Sequence, residues 1–288
     1  MTEHTEHPPH PVTGHPAHPV TGHPAHPVTG LPAHPVTGHP RRPLTGHPRL
    51  TGRPRRPLTG HLRHYASALL LPLVALTAVT YGAGELVTSL PTGEAAVNTG
   101  LAAWRSGLWN TLTDIGTSLS DTPYIVALTA ATAAFLGLVR RRLHEAAFLV
   151  AAVWSQSLIF LATSALVARH RPPVHHLDPA PPTSSFPSGH VSAAVGFYCA
   201  VALLLAVRVR GPVARALVWT LGVAVPLVVA FSRLYRGMHF LTDVLWGLLL
   251  GACCVAVSAR AILARRAERR AWRCPPRGGG VGAPGAAR

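Results

Sequence analysis

Six stretches of nearly unbroken apolar residues organise this chain. They lie at roughly 65–86, 123–139, 144–168, 190–207, 213–231 and 240–263. Each is near the ~20 residues that a helix needs to cross a bilayer. They are rich in Ala, Leu, Val and Gly, as expected where helices approach closely in lipid. A soluble core supplies one or two such stretches, hardly six in succession. The pattern predicts an all-α, polytopic membrane protein: a bundle of six transmembrane helices occupying residues 63–264. In the loop after the first stretch, Trp104, Leu108, Leu112 and Ile115 recur at helical spacing. This predicts a short amphipathic helix, either lying in the membrane interface or packed as a lid on the bundle.

The chain's two ends read differently. Residues 1–62 are a degenerate eight-residue repeat in which HPVTG recurs at His10, His18, His26 and His34 and decays to RPLTG at Arg42 and Arg56. Proline at every third to fifth position forbids a helix and almost nothing apolar is available to bury, so a disordered tail is expected. Its histidines could chelate metal, but no fixed geometry gathers them, and a low-complexity tract without a specific ligand is the simpler reading. This start lacks the basic segment and apolar core of a secretory signal. Residues 265–288 form a basic, Gly/Pro-rich tail.

Charge changes the picture next. The 288 residues are 48% hydrophobic and 12% charged, with a formal net charge of +16. Soluble domains carry about 25% charged residues. All 26 cations are arginine. If the N-terminal tail is cytoplasmic, 21 arginines fall on the inner side, and only Arg105, Arg169, Arg171, Arg233 and Arg236 fall on the outer side. Basic residues favour the cytoplasmic side, so both termini are expected inside, in a multi-pass plasma-membrane topology. The charge then reports orientation, and nucleic acid is not needed as a partner to explain it. The cysteines, Cys199, Cys253, Cys254 and Cys274, show neither disulfide-framework nor zinc spacing.

Four of the five outer arginines lie in two short segments with histidines. One runs from Arg169-His170-Arg171-Pro172-Pro173 to Phe186-Pro187-Ser188-Gly189-His190; the other runs from Ser232-Arg233 to Thr242-Asp243. Charges at membrane helix ends are costly unless paired or functional. Planar guanidinium forks suit a tetrahedral oxyanion, and the Ser188–Gly189 helix start favours phosphate. His239 and Asp243, four residues apart, share one helical face, where an aspartate behind a histidine fixes its tautomer. His190, opening a neighbouring helix, could protonate a leaving oxygen. Together these residues describe phosphoryl transfer through a phosphohistidine. His175, His176 and Asp178 resemble a metal trio, but their Pro-rich loop better suits substrate gating or a plain surface role.

Arg-Pro, Pro-Ser-Gly-His and Ser-Arg-x5-His-x3-Asp together resemble the tripartite pattern of the type 2 phosphatidic acid phosphatase (PAP2) superfamily, over roughly residues 65–263. The resemblance implies a six-helix membrane phosphatase that needs no metal or other cofactor. It makes His239 the nucleophile, Asp243 its assistant and His190 the acid, with Arg171, Ser188, Gly189 and Arg233 binding phosphate. One departure stands out: Ser164 occupies the position of the first motif's lysine. Arg169, His170 and Arg236 are the nearby groups that could compensate.

The sequence expectation is therefore a membrane phosphatase whose partner is a lipid phosphate and whose site is extracytoplasmic. A polyprenyl diphosphate is the first choice of substrate. Phosphatidic acid, phosphatidylglycerol phosphate and a polyprenyl-phosphosugar phosphate are alternatives, as is transfer of the phosphoryl group to an alcohol. From a different class, the missing lysine allows a catalytically silent membrane scaffold.

Overall fold

The computed structural model describes residues 58–90 and 93–264. The repeat tail, except its last few residues, and the basic C-terminal tail lie outside these residues. All regular structure among the described residues is helical. Helix α1 spans Leu58–Ser89, and the short helices α2 (Ala95–Ala103) and α3 (Gly107–Ser118) follow it. Helix α4, Thr122–Ala134, runs on through a π-helical turn to Val139, and α5 is Leu143–Leu166. Helices α6 (Gly189–Ala194) and α7 (Ala200–Ala206) form one continuous rod across a π turn, Val195–Cys199. Helix α8 is Pro212–Tyr235, and α9 is Leu241–Ser258 with a π-helical extension to Ala264.

Six helical runs are long and apolar enough to cross a membrane: 67–89, 122–139, 143–166, 189–206, 212–235 and 241–264. They coincide with the six apolar stretches to within a few residues. Exposed Leu, Val and aromatic side chains such as Leu71, Val74, Leu158, Leu217, Leu221 and Leu245 cover their outward faces. That surface fits hydrocarbon, which needs no polar cover.

Inside, Phe148, Leu149, Ala152, Val153, Phe197, Ala200 and Leu204 knit α5 to the α6–α7 rod, with Val255 of α9 beside them. Val191, Ala194, Val229, Ala230 and Val244 join α6, α8 and α9 nearer the other end. Close approach there depends on a glycine: a Cβ on Gly247 would stand 2.7 Å from the Ser188 carbonyl oxygen. The start of α6 therefore presses directly on α9, and the Ser188 N–H donates to the Asp243 carbonyl at 3.0 Å.

Helix α3 is the predicted amphipathic helix. Ser106 caps it by accepting the Trp109 N–H. Its inner face packs on α8, where Gly116 meets Ser232 and Val228. Leu108, Leu112 and Ile115 remain exposed on the other face, as does Trp104 just before the helix. The helix thus packs one face on the bundle and leaves the other apolar and open.

Candidate active site

The first turn of α9 is organised by buried ionic contacts. Asp243 is fully buried. One carboxylate oxygen accepts the Phe240 N–H at 2.8 Å, and the other pairs with Arg169. Arg169 also pairs with Glu94, from the segment before α2, at 3.1 Å, donates to Thr242, and stacks over the Phe240 ring. Glu94 accepts the Thr242 N–H at 2.7 Å. A carboxylate receiving a first-turn N–H satisfies an otherwise orphaned donor and complements the helix dipole.

This network sets the position of His239, two residues before the helix. Gly237, with φ +75°, turns the chain back after α8, and the Met238 N–H closes onto the Arg233 carbonyl. Asn98 of α2 holds the His239 carbonyl at 3.0 Å. The imidazole Nδ1 lies 2.7 Å from the Ser185 carbonyl oxygen and 3.7 Å from Asp243. The expected arrangement, an aspartate directly fixing the tautomer, thus takes another form. A carbonyl oxygen can only accept, so Ser185 fixes the proton on Nδ1 and leaves Nε2 with a lone pair. The Asp243 oxygens meanwhile accept from Arg169 and the Phe240 N–H. Burial holds the His239 imidazole below its ordinary range. The nearby Asp243 carboxylate opposes this, while Arg233 and Arg171 reinforce it.

Around His239 lies a cavity of about 1200 Å³ lined by Arg171, Asp178, Gly189, His190, Arg233 and His239 at its polar end. Arg171 donates through Nη1 to the Met238 carbonyl at 2.7 Å. Arg233 donates to Thr117 at 3.1 Å and to Asp178 at 3.0 Å. The Nε groups of both arginines and the Ser188 hydroxyl are buried without a hydrogen-bond partner. Unpartnered buried donors cost free energy that an incoming anion would recover. His190 Nε2 lies 3.2 Å from Asp121 at the start of α4. From this polar end the cavity continues as a mostly apolar trough between α4 and α5, past Ile125, Val126, Val153, Trp154, Phe160 and Leu161.

The structure thus gathers Arg171, Gly189, His190, Arg233 and His239 on one cavity, with Asp243 and Ser188 buried against it. Ser164 lines the same cavity, its hydroxyl donating to the Leu161 carbonyl of its own helix. None of the three proposed substitutes for the motif lysine is available for direct contact. Arg169 is held by Asp243 and Glu94. Arg236 is held by Asp178, Asp114 and the carbonyls of Asn110 and Leu177. His170 is exposed.

Several participants were not legible in the sequence. Glu94 and Asp121 stand far from every motif. Ser185 acts through a backbone carbonyl that any residue would supply. Asp178 stands in the sequence within a possible metal trio whose loop better suits substrate gating or a plain surface role. Its carboxylate instead bridges Arg233 and Arg236, while the His176 ring meets the Pro172 carbonyl.

Residues 145–267 match the family model of the PAP2 superfamily. An 80-residue stretch is 38% identical to an undecaprenyl-diphosphatase of Sulfolobus acidocaldarius. The stretch is 28% of this chain and 34% of that protein, so the chain spans about a third of the curated relative it matches. In fold, the chain is similar to a transmembrane PAP2-type phosphatidylglycerolphosphate phosphatase from Bacillus subtilis. That likeness covers 68% of this chain and 95% of the other, with a TM-score of 0.56 and 21% identity. LpxE of Aquifex aeolicus gives a weaker likeness, with a TM-score of 0.45 at 20% identity over 57% of this chain and 93% of that one.

Proposed function

From the PAP2 superfamily domain that residues 145–267 carry, we propose that this chain is an integral membrane phosphatase that removes phosphate from a lipid. The observation that carries this reading is the set of unpartnered buried donors, Arg171 Nε, Arg233 Nε and Ser188 Oγ, beside an imidazole with a free Nε2. Such a cradle recognises a tetrahedral oxyanion. The apolar trough leading from it accommodates a hydrocarbon chain.

The mechanism follows from these positions. Nε2 of His239 attacks phosphorus while Arg171 and Arg233 neutralise the equatorial oxygens and the Ser188 hydroxyl donates a hydrogen bond to them. His190 gives a proton to the leaving oxygen. Water, deprotonated by His190, then cleaves the phosphohistidine and releases inorganic phosphate. Asp243 stabilises the imidazole of His239 as it gains positive charge, acting through space. The reaction as written needs no metal.

The arginine distribution supports an extracytoplasmic site with cytoplasmic termini. A cysteine placed at exposed Ala180, in a background lacking the native cysteines, should react with an impermeant maleimide from outside intact cells. Labelling only after lysis would reverse the orientation. The names of the relatives support both a polyprenyl diphosphate and a glycerophospholipid phosphate as substrates. Purified protein given a lipid panel in EDTA should release inorganic phosphate, and His239→Ala should abolish the release. Phosphate release that survives this substitution, or that requires a divalent metal, overturns the mechanism.

A further inference from the structure

The cavity around His239 is lined by two arginines, Arg171 and Arg233, against three aspartates, Asp114, Asp121 and Asp178. Arg169 and Arg236 at this end are held in ion pairs, Arg236 by Asp114 and Asp178 themselves, so among the described residues Asp121 is the lining aspartate that pairs with no arginine. On the α5 wall, where the family pattern carries a lysine, stands Ser164. The lining therefore offers two guanidinium groups, Arg233 shared with Asp178, to one phosphate group, and a second on the α4 side would meet the Asp121 carboxylate.

The position of the aspartates adds a direction to this count. The lipid moiety of a substrate held at His239 must lie in the apolar trough between α4 and α5. The bond to be broken then faces the side where α4 begins, and there Asp121 stands 3.2 Å from Nε2 of His190. A carboxylate touching the acid stabilises its protonated form until the proton is needed. An alkoxide leaving group needs that proton. A phosphate leaving group is already a stable anion and does not.

We propose that the site is built for phosphomonoesters whose leaving group is an uncharged lipid alcohol, and that Asp121 is the residue that discriminates against diphosphates. This rests on the phosphatase reading above. In the first step the Nε2–P bond forms, the P–O bond to the lipid breaks, and the proton of His190 passes to the lipid oxygen. In the second, water attacks phosphorus, its proton returns to His190, and the N–P bond breaks to release phosphate. With a diphosphate the departing group would be a lipid phosphate, placed beside Asp121 with Ser164 offering no counter-charge.

Farnesyl phosphate and farnesyl diphosphate share one tail and test this directly in detergent solution. The wild-type kcat/KM should favour the monophosphate by about tenfold or more. Asp121→Asn should slow the monophosphate reaction and narrow the ratio by about tenfold, because the acid loses its partner as the repulsion is removed. Ser164→Lys should narrow the ratio by raising diphosphate turnover. A merely structural Asp121 would affect both substrates equally and leave the ratio unchanged. An unchanged ratio in Asp121→Asn overturns the proposal. So does wild-type cleavage of the diphosphate as fast as the monophosphate. If that cleavage is abolished by His239→Ala, the phosphatase reading stands and the monoester preference falls alone. Failure of folded wild-type protein to cleave either probe, or any lipid of the panel, overturns both.

Discussion

The carboxylate of Asp243 stops 3.7 Å from Nδ1 of His239, and the 2.7 Å hydrogen bond at that nitrogen goes to the Ser185 carbonyl. The tautomer of His239 is thus set by the backbone of the loop before α6. Asp243 acts on the ring mainly through its charge, which Arg169 partly balances.

Asp243→Asn should therefore preserve the tautomer while removing the negative field. The imidazole becomes less basic, so the acid limb of kcat/KM, which requires neutral His239, moves to lower pH. The maximal rate should fall about 10²-fold or more as support for the charge forming on the ring is lost. An acid limb that moves to higher pH would contradict an electrostatic role.

Arg169→Ala shifts the same limb the opposite way. With its balancing cation gone, Asp243 exerts a stronger field and His239 becomes more basic. The substitution also leaves buried carboxylates uncompensated, which costs about 3–5 kcal/mol of stability. A pH–rate profile and a thermal melt on the same detergent-solubilised sample measure both effects. Loss of stability without movement of the acid limb would limit Arg169 to a structural role.

Folding itself should carry the signature of His239. Burial depresses its basicity in the folded protein. Between the folded-state value and about 6.5 the unfolded chain therefore binds a proton that the native chain refuses. Its contribution makes stability rise with pH across that window and level off above it. Thermal midpoints taken from pH 5 to 8 should rise less steeply in His239→Gln than in wild type; identical slopes would rule out this contribution.

Asp178 holds Arg233, the residue that binds the substrate phosphate in the proposed reaction. Its carboxyl lies below the usual range, because hydrogen bonding to Arg236 and the charges of Arg233 and Arg236 outweigh the opposing effect of burial. Asp178→Asn should weaken this bridge and lower the inhibition constant for inorganic phosphate by about tenfold, the scale of one charge-assisted hydrogen bond. Unchanged phosphate inhibition would mean that the bridge persists when the anion binds.

The sequence by itself determined the six spans. Hydrocarbon demands long apolar runs with internally satisfied backbones, and such runs are visible without any knowledge of contacts. Pro-Ser-Gly-His and Ser-Arg-x5-His-x3-Asp likewise placed His190, Arg233, His239 and Asp243 at helix boundaries, because each motif is local. Tertiary structure alone decided what those residues touch. Glu94 and Arg169 are 75 residues apart in the chain. His190 and Asp121 are 69 apart. Nothing in local periodicity encodes either pairing. The Ser185 carbonyl leaves no side-chain signature, yet it settles which nitrogen of His239 is free. The fate of the five arginines expected on the outer side was decided in the same way. Composition counted them as one group, but packing tied Arg169 and Arg236 to carboxylates and Arg105 to backbone carbonyls. Arg171 and Arg233 line the cavity with their Nε donors unpartnered, although Asp178 also holds Arg233, since a guanidinium's chemistry depends on the partners that the fold has already given it.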